Sequence, residues 1–174
     1  ATRIGNLYPA DAGIVIALCL NLLRLEPGDA VYLPAGNLHA YLHGTGIEIM
    51  ANSDNVLRGG LTPKHVDVPE LLKVLDFGAG PVSPLRAEPV GQERTFRTDA
   101  PEFRLSYIDV TGSLAFEHQG LPEILLVTQG SVRAANSETE LLLASGGSIF
   151  VRASDPDYEL SGQGRVFRAR VGGG

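Results

Sequence analysis

LEPGDAVYLPAGNLHAYLHGTGIEIMANSDNVLRGGLTPK, residues 25–64, is the stretch on which the reading of this chain turns. Gly28 is followed by five residues, then Pro34, Ala35, Gly36, two more residues and His39. That order predicts a strand running up to a Pro-Gly corner and a second strand leaving it with an imidazole. Side chains alternate across a strand, so His39 and Tyr41 share one face while Ala40 and Leu42 share the other. Beyond the Gly44-Thr45-Gly46 turn, Ile47, Ile49 and Ala51 read as one face of a return strand, with Glu48 and Met50 opposite. A hairpin of this kind brings Glu48 to the side of His39. An imidazole, a phenol and a carboxylate on one face form a polar cluster that packing alone does not select.

The rest of the composition narrows the class. The chain has 174 residues, 44% apolar and 20% charged, which is a globular balance. Net charge is −6, and the lysines are Lys64 and Lys73 alone. With no basic stripe to neutralise a phosphate backbone, nucleic acid is not the expected partner. Cys19 lies in an apolar run, where a buried structural thiol is expected. A single cysteine and no visible signal peptide fit a reducing cytoplasm. The most apolar run, residues 14–25, is interrupted by Asn21 and Arg24 and is too short to span a bilayer. The chain begins with Ala, which fits either loss of Met or a boundary inside a longer protein.

In chain order, residues 1–13 read as a leading loop with turn residues, and 14–25 as a strand on their β-branched opening and the Pro27-Gly28-Asp29 turn. Residues 30–33 form a short strand. The polar segment 52–65 is loop, and loops of that length are often functional. Residues 68–75 read as a short helix, with Pro69 near its start and Glu70 in its first turn. Four prolines between 78 and 101 mark an extended crossover. From 103 onward the pattern is all-β, with strands at 103–110, 113–117, 124–128, 131–134, 141–143, 148–151, 158–160 and 165–171. The chain also repeats itself: residues 25–42 align without gaps on LASGGSIFVRASDPDYEL, residues 143–160. Gly28 meets Gly146, Val31 meets Ile149, and His39 meets Asp157, which implies two similar units.

The glycine-to-His39 spacing is that of the second cupin signature, G(x)5PxG(x)2H. A worn first signature follows in Gly112, His118, Glu123 and Gly130, with Gly120 where a second histidine belongs. The expected fold is therefore all-β, a cupin or double-stranded β-helix (jelly roll) with two cupin-like units and one short helix near 69–76. Residues 1–77 read as an incomplete catalytic barrel, 78–101 as the crossover and 102–174 as a degenerate barrel. His118, Glu123 and Asp157 lack a ligand for a metal, so the second barrel reads as structural. A transition-metal site takes three or four ligands. The first barrel offers His39 and Glu48, and no other histidine precedes His39. His43 and His65 read as surface residues.

YPADAG (8–13) and PGDAVYLPAGNLHAYLHGTGIEIMANSDNVLRGGLTPKHVDVPEL (27–71) resemble the type I mannose-6-phosphate isomerases (phosphomannose isomerases), and SDNVLRGGLTPK is the most specific part. The resemblance implies a zinc-dependent interconversion of mannose 6-phosphate and fructose 6-phosphate, with this chain as the C-terminal portion. It implies that His39 is the last zinc-ligating histidine and that Arg58 is catalytic. Tyr41, Glu48, Asp54 and Lys64 match positions lining the substrate pocket. The other zinc ligands, in a Gln-x-His-Pro stretch and a later Glu, belong upstream and are not in this sequence. Aldose–ketose isomerisation passes a proton between adjacent carbons through an enediolate, which asks for an acid/base group and a stabilised oxyanion. Arg58 suits the oxyanion, and Glu48 or Lys64 the proton. For Tyr41 and Asp54 the resemblance implies substrate binding. The expected partners are a sugar phosphate, the missing N-terminal half of the catalytic domain and a second copy through exposed strand edges. The alternative is a metal-free cupin that binds sugar or serves a structural role.

Overall fold

Period-two burial organises most of the computed structural model, whose described residues are 2–53, 56–78 and 80–172. In chain order the elements are α1 (Thr2–Leu7), α2 (Gly13–Cys19), β1 (Asp29–Ala30), α3 (Val68–Val74), β2 (Leu85–Arg86), β3 (Glu88–Val90), β4 (Glu93–Phe96), β5 (Phe103–Phe116), β6 (Glu123–Asn136), β7 (Glu140–Ala144), β8 (Ser148–Val151) and β9 (Tyr158–Val171). Strand makes up 37% of the described residues and helix 12%, so the class is all-β as expected. The chain divides into two compact units. One comprises Ala1–Pro27, Val31–Ile47 and Asn52–Pro84; the other comprises Gly28–Ala30, Glu48–Ala51 and Leu85–Gly174.

The first unit departs from expectation at its start. Residues 2–7 form a helix rather than a loop, and the apolar run opens as α2 rather than as a strand. Asp11 explains the second difference: its carboxylate accepts from the N–H of Gly13, the first helical residue, at 2.7 Å. That oxygen satisfies a donor which an isolated helix start leaves unpaired. Cys19 is exposed, not buried. The strand expected at 30–33 is only Asp29–Ala30, paired with β2. No strand is assigned among the described residues between 31 and 67, so the alternation expected for 37–51 has no ladder behind it. Helix α3 forms as expected. Asp67 caps it by accepting from Glu70 N at 3.0 Å, and Lys73 pairs with Glu70.

The second unit is a seven-stranded sheet in the order β3-β4-β5-β9-β6-β7, with β8 also on β6. Pro89 sits on the outermost strand, where a missing N–H costs no ladder bond. The pairs of short strands expected at 103–117, 124–134 and 158–171 are each one continuous strand of 14 residues. The glycines between them bend the strands instead of ending them. Gly112, Gly130 and Gly162 all have positive φ, and a Cβ on Gly130 would stand 2.1 Å from the Gln163 carbonyl oxygen. Thr128 is the extra residue of a β-bulge in the β6–β9 ladder.

Inside this sheet, Ile108, Val110, Leu125, Val127, Val132, Leu160 and Val166 are almost wholly buried. The same inward face carries Glu123 and Arg168, at 2% and 3% exposure. Arg168 grips Glu123 with two N–H donors, and Tyr158 Oη donates to the same carboxylate at 2.8 Å. The Arg168 guanidinium also lies over the Phe116 and Tyr158 rings. Glu93 extends the network, accepting from Ser106 and Arg170. Burial holds the Tyr158 phenol well above its ordinary range.

Two outcomes follow for stability. Arg168→Leu leaves a buried carboxylate without its cation, and urea unfolding should show a loss of about 3–5 kcal/mol. Adding Glu123→Leu should recover most of that loss, and a single variant as stable as the parent would contradict this account. Because the folded state binds the Tyr158 proton more tightly than the unfolded chain, its contribution is complete below about pH 10. It is lost as pH rises above that toward the folded-state value. Tyr158→Phe should flatten the alkaline fall in thermal stability.

Candidate functional site

The corner at Pro34–Asn37 is the starting point of the first unit's polar cluster. Asn37 N donates to Pro34 O at 3.4 Å, closing a turn in which Gly36 has φ +85°. A Cβ on Gly36 would lie 2.8 Å from Val74 O, and Gly36 O accepts from Asp76 N at 3.0 Å. The corner is thus fastened to the C-terminal end of α3. The repeat seen in the sequence has a backbone counterpart in the second unit. Gly146 has φ +89° where Gly28 has φ +94°, and Asp155 N donates to Arg152 O as Asn37 N does to Pro34 O.

His39 follows the corner. Its Nδ1 lies 3.0 Å from Asn37 O, and a carbonyl can only accept, so Nδ1 carries a hydrogen and the lone pair of a neutral ring falls to Nε2. The ring meets Tyr41 edge-on at 5.8 Å, so the cluster's imidazole and phenol are neighbours even without a strand. Both are exposed. Glu48 is exposed too and falls in the second compact unit, so the expected hairpin face is not formed as a ladder. Asp54 lies outside the described residues.

The segment bearing Arg58 is held on two sides. A Cβ on Gly59 would stand 2.3 Å from Leu38 Cδ1. The residue after the guanidinium therefore packs against the residue before the imidazole. On the other side, Asp11 Oδ2 accepts from Leu61 N at 2.8 Å while its Oδ1 holds Gly13 N. Gly60 (φ +116°) and Leu61 (φ +54°) are both left-handed there. For leucine that conformation costs about 1–3 kcal/mol, so the surroundings must impose it. Lys64 N donates to the Thr62 hydroxyl at 3.1 Å. The side chains of Arg58 and Lys64 are exposed, and Arg58 makes no ion pair among the described residues. Asp11 was not among the candidates from the sequence; its signal is an acid inside YPADAG, which reads as an ordinary turn.

The donors present do not by themselves fit zinc. No group of three His, Cys, Asp or Glu side chains able to hold a metal occurs among the described residues. In the second unit the worn signature is spent internally. Both ring nitrogens of His118 lie at 2.9 Å from carbonyls, of Asp155 and Leu121, and its backbone N donates to Asp157. Hydrogen bonding from Arg152 holds the Asp155 carboxyl below its usual range. No helix among the described residues is long and apolar enough to cross a membrane.

No protein-family model matches the chain. Mannose-6-phosphate isomerase of Escherichia coli strain K12 is 38% identical over 167 residues, covering 95% of this chain and 43% of that protein. The human protein of the same name is 36% identical over 159 residues, covering 85% and 37%. The crystal structure of mannose 6-phosphate isomerase, apo form, from Salmonella typhimurium superposes with a TM-score of 0.86 at 34% identity. That match covers 98% of this chain and 45% of the other. The fold is accordingly the one these structures share, a cupin fold. The chain spans less than half the length of the relatives it matches, consistent with the C-terminal portion expected from its sequence.

The Leu38–Gly59 contact makes a direct test of how the imidazole and guanidinium segments are joined. Gly59→Ala should cost about 1–3 kcal/mol in chemical denaturation through overpacking. Leu38→Ala in the same chain should make the Gly59 substitution nearly neutral. Additive costs would show that the two segments are not in contact.

Proposed function

The chain is a relative of the mannose-6-phosphate isomerases matched over less than half their length, and from that kinship we propose that it is the C-terminal portion of a sugar-phosphate isomerase. The finer reading is a zinc-dependent interconversion of mannose 6-phosphate and fructose 6-phosphate. The observation that carries it within this chain is the contact of Leu38 with Gly59, which supports a shared role for His39 and Arg58.

The chemistry follows from the groups available. Moving a proton between the first two sugar carbons builds negative charge on an oxygen, and an always-charged guanidinium stabilises it wherever it forms. Arg58 has that charge and no competing ion pair among the described residues. Of the two candidates for the proton, Lys64 shares a unit with Arg58, and the proposal assigns the transfer to it. Tyr41 offers a hydroxyl for the sugar. His39 would be one zinc ligand through Nε2, its ring held by the Nδ1 hydrogen bond, as metal-bound histidines commonly are. Zinc, when bound, supplies a Lewis acid, and its other donors lie outside this chain.

A further segment as partner is supported by the apolar surface of the first unit. Leu7, Val15, Leu18 and Leu22 are each more than 60% exposed, and Leu71 is its one buried apolar side chain among the described residues. Supplying the complementary segment of the Salmonella relative to this chain should produce mannose 6-phosphate isomerisation that neither piece has alone. Arg58→Ala should then lower kcat by about 10²–10³-fold, and His39→Ala should abolish stoichiometric zinc in metal analysis. Sugar-phosphate binding that survives a chelator, with no turnover in the reconstituted mixture, would refute the isomerase reading in favour of a binding module.

A further inference from the structure

We propose that Asp11 is a positioning residue for Arg58, acting through the backbone of the loop that carries it; this rests on the isomerase reading above. Asp11 is half-buried, and its two oxygens are committed to different segments, Oδ1 to Gly13 N and Oδ2 to Leu61 N. One carboxylate therefore ties the start of α2 to the residue three beyond the guanidinium. The fit is close on every side. A Cβ on Gly60 would stand 2.9 Å from Asp11 Oδ1 and 3.0 Å from Gly13 Cα, and one on Gly13 would stand 3.1 Å from Leu61 N. Glycine is required at both places so that the two backbones can meet around the acid.

The consequence for Arg58 is geometric. Its side chain is exposed and has no ion pair to fix it among the described residues, so its direction depends on the backbone that bears it. That backbone is held by Leu38 against Gly59 and by Asp11 at Leu61. The left-handed φ at Leu61 marks a conformation that leucine does not keep unaided. Releasing the Asp11 end frees the loop to relax and turns the guanidinium away from the point where charge develops. Asp11 itself touches no reacting atom.

Asp11→Asn is the test, because the amide keeps the size of the acid but turns an N–H2 group toward one of the two donors. Hydrogen exchange on the chain itself should show the Gly13 or Leu61 amide losing protection by at least about tenfold, with β5, β6 and β9 unchanged. With the complementary segment supplied, kcat should fall by about 10²-fold while KM for mannose 6-phosphate changes little. In an Arg58→Ala background, Asp11→Asn should cause no further loss of kcat, a result that general destabilisation does not give. Gly60→Ala strains the same junction from the loop side and should reproduce the kinetic pattern. An unchanged kcat, or an equal loss with and without Arg58, overturns the proposal. Inactive wild-type mixtures overturn the isomerase reading and this role with it, while intact exchange protection in Asp11→Asn overturns the anchoring alone.

Discussion

The second unit depends on one buried ion pair. Glu123 occupies the place where the first cupin signature puts a metal-binding carboxylate, yet it is 2% exposed and Arg168 holds it with two donors. A carboxylate in that setting has to have a cation, since an uncompensated buried charge is far more costly than the pair. The guanidinium answers that need from within the chain. Its flat fork matches the carboxylate, and its faces rest on Phe116 and Tyr158, so the charge is solvated by protein on all sides. Around that pair most of the remaining buried positions are aliphatic, among them Ile108, Val110, Leu125, Val127, Val132, Leu160 and Val166.

Glycine is the second constraint, and the sequence disclosed its positions better than its purposes. The sequence reading divided three strands into six, with breaks at or beside Gly112, Gly130 and Gly162. In the structure all three lie at positive φ inside continuous strands, and at Gly130 and Gly162 another backbone comes too near for a Cβ. The pairing on either side survives because only the side chain, not the N–H or C=O, is missing. Where proline and an acid marked a helix start the reading held: Pro69 and Glu70 stand in the first turn of α3, which Asp67, not named from the sequence, caps. Pro89, read as part of an extended crossover, instead lies on the outermost strand of the sheet. Helix α2 was not legible, because Ile14, Val15 and Ile16 favour a strand locally. The acid that turns the balance sits one residue ahead of the usual capping position.

The polar cluster was legible as a set of residues but not as a geometry. The expected arrangement used period-two alternation, and that rule applies only where a ladder fixes successive side chains to opposite faces. No ladder exists between 31 and 67 among the described residues. His39 and Tyr41 meet anyway, through the turn that the Nδ1–Asn37 bond tightens. The segment of Arg58 is set by close backbone approaches to Leu38 and Asp11, contacts separated by tens of residues that no periodicity encodes. With one buried apolar side chain in that unit among the described residues, directional bonds and glycine contacts carry much of its local order.

The internal repeat shows how one backbone device is turned to two ends. Both copies have a left-handed glycine before a short strand and a closed turn after it, and the decisive difference lies at the aligned positions His39 and Asp157. In the second unit Asp157 accepts from His118 N, and both ring nitrogens of His118 lie at 2.9 Å from carbonyls, of Asp155 and Leu121, so the polar groups of that corner join two loops. In the first unit the corner consumes only Nδ1 of His39 and leaves Nε2 without a hydrogen bond among the described residues. A corner whose polar groups satisfy one another is structural cement. The first copy differs in that its corner is joined through Leu38 to the segment of Arg58, a guanidinium without an ion pair among the described residues.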